Sequence, residues 1–261
     1  MLSFTLQTIL PFFLSAAVVI IIMLIAEKYG TKTGGILGTL PSTIIVAYIF
    51  IALNKGVNFA SNSVGVVPAE MGINLIFLFI FTILIRKSIY TAFSASFVVW
   101  ASLSFVLWAV DLKNIYISVS IFFISMIFTG FTLEKIIKIK SSGQKIVHYT
   151  FTKIALRGLL AGAIIAITVL LSNVGEVISG IMSVFPAIIS STMIISYYEH
   201  GADFASGLAK SMIIGSCSVM SYAVSIHFLY PLYGILSGSI IGFLISIIVT
   251  LIILKFRKKF S

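Results

Sequence analysis

From residue 8 to residue 254 this sequence is a succession of apolar runs, each about 18–25 residues long and closed by a short polar or glycine-bearing break. A run of that length hides its backbone polar groups from lipid only by folding as a helix, so the pattern predicts an all-α fold, a polytopic helical bundle in a membrane. Nine spans are expected, at about 8–27, 33–53, 58–85, 90–110, 114–133, 153–172, 176–198, 204–229 and 232–254. The breaks fall at Lys28–Gly30, Asn54–Gly56, Arg86–Ser88, Asp111–Asn114, Glu134–Lys153, Asn173–Gly175, Glu199–Gly201 and Tyr230–Pro231. Composition agrees: 60% of the residues are hydrophobic and only 9% are charged, too few to solvate a soluble domain. The opening MLSFTLQTILPFF has no basic n-region, so the first span is expected to be retained rather than cleaved as a signal peptide.

The formal charge of +10 would suit nucleic acid on a soluble protein. Here the basic residues sit in the gaps between apolar runs, so their expected partners are membrane lipids, and no nucleic acid is implied. With nine spans and the N-terminus outside, all but Lys55 and Lys113 of the 17 basic residues collect on one side. That bias predicts a multi-pass cell-membrane protein with its C-terminus in the cytoplasm. The single Cys217 lies inside an apolar run, which leaves no disulfide or multi-cysteine metal site within one chain.

One stretch occurs twice. GTKTGGILGTLPSTIIVAYIFIALNKGVNFAS (30–61) aligns without a gap to GEVISGIMSVFPAIISSTMIISYYEHGADFAS (175–206). Gly30, Gly35, Pro41, Gly56 and Ser61 reappear as Gly175, Gly180, Pro186, Gly201 and Ser206, among about ten matches in about thirty-two positions. The expected organisation is a first four-span unit (1–112), a connecting fifth span with a basic loop (113–150), and a second four-span unit (151–261). An odd number of spans separates the two starts, so the units should be inverted, as in many secondary transporters.

The candidate site follows from that symmetry. Pro41 and Pro186 fall about eight and ten residues inside their spans, and each removes a backbone donor. The freed groups, with Ser42, Thr43, Ser190, Ser191 and Thr192, would line a central site. The other reading is a pair of packing kinks at a helix crossing. Glu70 is the one acid placed well inside a span, its counterpart in the second unit being Gly215, and Asn74 shares its helix face. An intramembrane carboxylate costs about 2.5–3.5 kcal/mol on insertion scales and faces a cavity or a partner. Glu70 and Asn74 are candidates for binding a proton, a cation or a polar substrate; the alternative for Glu70 is a protonated structural group. A stripe of Ser211, Ser218, Tyr222 and Ser225 is either a second cavity wall or interhelical bonding. Arg157 and Lys210 are read as snorkelling cations, with attraction of an anionic substrate the alternative for Lys210; Glu199, His200 and Asp203 as a solvated turn, with a metal site or gate the alternative; and Trp100 and Trp108 as lipid-facing or packing residues. No HExxH, GxSxG or Walker-A pattern occurs, so neither enzyme chemistry nor a cofactor or metal is expected.

From Gly175 to Leu254, the segments GIMSVFPAIISST, EHGADF and LAKSMIIGSCSVMSYAV resemble the small four-span GlpM-like membrane proteins. The resemblance implies a membrane location and a four-span unit, and it carries no activity. The pairing of two such units is similar in logic to drug/metabolite-type transporters. The expectation is a secondary transporter for a small-molecule or ion substrate, with rocking around a midplane cavity and Glu70 as coupling residue. An accessory or scaffold subunit, or a lipid flippase, are the alternatives, and a homodimer is compatible with either.

Overall fold

The computed structural model describes the backbone of residues 4–37, 40–139 and 150–259, and the side chains of 5–21, 40–139 and 150–255. Among these residues there are helices and turns and no strand. The helices are α1 (Phe4–Leu37), α2 (Ser42–Lys55), α3 (Val57–Val64), α4 (Val67–Leu84), α5 (Ile89–Ala109), α6 (Ile115–Phe131), α7 (Phe151–Leu171), α8 (Glu176–Ser183), α9 (Ala187–Gly215) and α10 (Cys217–Lys259). A π-helical turn, Thr132–Ile136, extends α6. Among the described residues, five helical stretches are long and apolar enough to cross a membrane: Val57–Leu84, Ile89–Ala109, Ile115–Ile136, Phe151–Leu171 and Glu176–Lys255, the last broken internally. The apolar helices are those of a membrane-associated protein.

Several expected breaks are found where the chain has the means to make them. Gly56 and Gly201, paired in the repeat, both take positive φ (90° and 83°) and interrupt their helices. Others differ. The expected break at Lys28–Gly30 is absent, because α1 runs through it; a mid-helix glycine costs only about 1 kcal/mol relative to alanine. The last turn lies at Gly234 (φ 75°) rather than Tyr230–Pro231, since proline fits a helical φ and only glycine takes the left-handed one at low cost. Two further interruptions, at Gly65–Val66 and at Ser216, divide helices that the hydropathy reads as continuous. Of the expected basic loop, Lys140, Ser141, Ser142, Gly143 and Lys145 lie outside the described residues, as does His148.

The prolines do more than kink. Pro41 and Pro186 each stand at a helix N-cap, with φ −74° and −75°, so the helix ends before them and restarts after them. Each of these two prolines therefore stands at a helix break.

The α3–α4 stretch is the central element: 83% of its most apolar window is buried, against 28% for the matching windows of α5 and α6. Phe77, Leu78 and Phe81 fill the space around α4, while α5 and α6 turn Val98, Phe105, Ile124 and Phe128 outward. Close helix approaches fix the rest. Gly158 and Gly162 of α7 lie against Ala16 and Phe12 of α1, a small-xxx-small contact at which a Cβ on Gly162 would come within 2.6 Å of the Phe12 carbonyl oxygen. Gly180 of α8 presses on the Ser63 carbonyl and the Val66 side chain. Ser63 Oγ meets Ser179 Oγ at 2.9 Å and donates to the Glu176 carbonyl at 2.8 Å.

The ion pairs fall into two groups. Lys113 joins Asp111 and Glu176, and Asn62 donates to Glu176. Elsewhere, Arg86 pairs with Asp203, Lys153 with Glu199, and Lys210 with Glu134. Glu199 and Asp203 thus serve separate basic partners, and the His200 ring packs on Phe204.

Gly180→Val would drive a branched side chain into the Ser63 backbone, an overpacking cost of about 1–3 kcal/mol. A clear drop in the thermal unfolding midpoint of the detergent-purified protein is expected; an unchanged midpoint would refute the close α3–α8 contact.

Candidate functional site

The two proline breaks meet at one cavity of about 70 Å³. From the first half it is lined by Leu40, Pro41, Ser42, Thr43 and Ile44 at the start of α2, and by Met71 and Asn74 of α4. From the second half come Val184 and Phe185 at the break, Ile188 and Ile189 of α9, Met212, and Val219 of α10. Leu40 and Phe185, Thr43 and Ile188, Ile44 and Ile189, and Asn74 and Val219 are pairs in the register of the sequence repeat. The cavity therefore lies where equivalent parts of the two halves face each other. Among the described residues, no charged side chain lines it.

Asn74 is the polar centre. It is fully buried, and its Nδ2 donates to the Val184 carbonyl at 2.8 Å. That carbonyl lies in the break between α8 and α9, where Val184 is non-helical (φ −121°, ψ 25°) and its carbonyl does not receive the Ile188 amide one turn on. A second, weaker contact runs from Nδ2 to Met71 Sδ at 3.8 Å. The Asn74 Oδ1 atom is buried and takes no hydrogen bond.

Glu70 takes a different direction from Asn74 although they share a helix face. It too is fully buried, but it does not line the cavity; its Oε1 accepts from Ser104 Oγ of α5 at 2.8 Å. Glu70 Oε2 and the Trp100 indole N–H each lack a well-formed hydrogen bond, and the indole lies beside the carboxyl. The Trp100 ring stands edge-on to Phe185, centroids 4.9 Å apart, and Phe185 lines the cavity. Trp100 is thus a bridge between the carboxyl and the cavity wall. Trp108, by contrast, is half exposed.

Of the remaining sequence candidates, Pro41, Ser42 and Thr43 line the cavity directly. Pro186 sets the break but is not in the lining, and its carbonyl accepts from the Ser190 amide at 2.8 Å. Ser191 and Thr192 bond back to the Ile188 carbonyl, and Thr192 Oγ1 also accepts from Arg157 Nη2 at 2.5 Å. Arg157 is buried, so it does not reach outward as a snorkelling cation would. Of the polar stripe, the Ser211 and Ser225 hydroxyls donate to carbonyls of their own helices, the Ser218 and Tyr222 hydroxyls are buried without a well-formed hydrogen bond, and none of the four is in the cavity lining. Residues missed by the sequence reading are Phe185, Met71, Met212, Trp100 and the Val184 carbonyl. Only Phe185 had a signal, its place directly before the repeated proline.

Residues 8–113 match the model of a family described as Protein of unknown function (DUF3147), a stretch that closes at the α5–α6 turn. No curated protein and no solved structure matches the chain.

Asn74→Leu would strand the buried Val184 carbonyl, a loss of about 1–3 kcal/mol. Hydrogen exchange at the start of α9 should quicken in this variant while that of α6 stays unchanged. Unaltered exchange at Ala187–Ser190 would mean that the bond does not hold the break.

Proposed function

We propose that the protein is an integral-membrane secondary transporter for a small polar solute or ion, working by alternating access between two inverted four-span units. The observation that carries this reading is the cavity bounded by repeat-related positions from both halves, with each helix cut at its proline. Two units that meet at a symmetric, partly polar seam have two equivalent ways to tilt, one opening to each side. Broken helices at membrane depth are tolerated where they line a cavity, as these do.

Nine spans with the N-terminus outside agree with the grouping of the polar contacts. Under that topology Asn62, Asp111, Lys113 and Glu176 share the outer end, with the Gln7–Asn54–Ser172 chain. Arg86, Asp203, Lys153, Glu199, Lys210 and Glu134 share the cytoplasmic end. No ion pair among the described residues crosses from one group to the other. The family match over residues 8–113 is in keeping with a first unit that ends near residue 112.

Glu70 is the coupling group in this reading. Its carboxyl sits behind Trp100 and Phe185, so a change in cavity occupancy that moves Phe185 alters the hydrogen bonding open to Oε2. A scaffold subunit would have no need of a cavity with an idle amide oxygen, which favours transport over an accessory role.

The test needs no substrate. In a Cys217→Ala background, single cysteines at Thr43 and Ile188 are labelled with a membrane-impermeant thiol reagent in right-side-out and inverted vesicles. Alternating access predicts labelling from both faces, with a ratio that shifts with the pH gradient. Glu70→Gln should remove that shift. Protection from both faces would rule out the transporter, and a shift that persists in Glu70→Gln would remove Glu70 from coupling.

A further inference from the structure

The cavity carries an electrostatic signature that its side chains alone conceal. α2 and α9, of 14 and 29 residues, both begin at it, because each restarts just after its proline. The first amides of an α-helix have no intrahelical acceptor. Some are used: Ser42 N–H donates to the Leu40 carbonyl and Ala187 N–H to the Phe185 carbonyl, at 2.7 and 2.8 Å. The next two in each helix are not. Among the described residues, the amides of Thr43, Ile44, Ile188 and Ile189 have no hydrogen-bond acceptor, and neither proline cap supplies a side chain. All four residues line the cavity and form two repeat-related pairs. Two helix N-termini, each worth about half a positive charge, therefore face one small space without a lysine or arginine in its lining.

A second, independent feature limits what the anion can be. Asn74, whose Oδ1 is fully buried and without a hydrogen-bond partner, belongs to the same lining. That oxygen is an acceptor, since Nδ2 is committed to the Val184 carbonyl. A bare halide would leave it unpaired, at a cost; an anion with its own O–H would satisfy it. The volume of about 70 Å³ is near the liquid share of two water molecules and holds an anion of only a few heavy atoms.

We propose that this cavity binds a small singly charged oxyanion that retains a hydroxyl, the class of bicarbonate or glycolate, with its oxygens on the Thr43, Ile44, Ile188 and Ile189 amides and its O–H on Asn74 Oδ1. This rests on the transporter reading for its purpose but not for its test. An anion entering an apolar site carries a charge that a proton on Glu70 would balance across the transport cycle.

Trp100, one of two tryptophans, touches cavity-lining Phe185 and is a natural reporter. In full-length Trp108→Phe protein, Trp100 fluorescence and the thermal unfolding midpoint are followed against glycolate, acetate, glycolamide and chloride at equal ionic strength. The expected result is saturable binding of glycolate, at least about tenfold weaker binding of acetate and of neutral glycolamide, and weak chloride. Asn74→Gln or Asn74→Leu should erase the preference for glycolate over acetate while some anion binding remains. Equal binding of glycolamide and glycolate would overturn the anion assignment. A glycolate preference that survives both Asn74 variants would overturn the role of Oδ1. No fluorescence or midpoint response to any oxyanion would overturn the proposal; two-sided labelling at Thr43 would then leave the transporter reading standing alone.

Discussion

The structure depends on what becomes of the backbone groups that Pro41 and Pro186 set free. Inside an apolar bundle an unpaired carbonyl or amide costs several kcal/mol, so a helix cut in mid-span needs a partner from elsewhere. The Val184 carbonyl finds one in Asn74, which comes from the other half of the chain. The break before Pro186 is thus satisfied from the first half of the chain, and the two cannot separate without exposing the Val184 carbonyl. The Gly180 contact on Ser63 and the α1–α7 crossing at Gly158 and Gly162 bring the helices near enough for that exchange.

The same economy leaves a remainder. Asn74 has two polar atoms and one is used; each restarted helix has amides to spare. These unspent groups gather in one space, with Phe185 and Trp100 between it and the buried Glu70. Buried polar atoms without partners are rare in folded proteins, and one of them, Asn74 Oδ1, belongs to a residue that lines the cavity between the two proline breaks. That is the placement expected of a site which is complete only when something else is in it.

Much of this was legible in the sequence, for physical reasons. Long apolar runs dictate helices, and the recurrence of glycine and proline at matched places marked both Gly56 and Gly201 turns and both proline breaks. Glu70 and Asn74 stood out because polar groups in such runs are expensive. What could not be read was direction. Residues 70 and 74 share a helix face, yet one bonds Ser104 on α5 and the other Val184 at the opposite break, a difference set by packing between distant segments. Trp100 looked like any packing aromatic, since its importance lies in what it touches on both sides. The turn at Gly234 and the breaks at Gly65–Val66 and Ser216 show the same limit: hydropathy detects apolar length, not backbone continuity within it.

The central claim is that two halves move about the cavity between the proline breaks. Spin labels at Lys55 and Val174, near the Asn54–Ser172 contact, report one end of the molecule; labels at Lys87 and Tyr198, beside Arg86 and Glu199, report the other. Pulsed electron-electron distance measurements on the two pairs in lipid nanodiscs, at acid and alkaline pH, test the claim most directly. The account predicts two populations at each end, one distance lengthening as the other shortens. A single distance at each end, unmoved by pH or by glycolate, would contradict it.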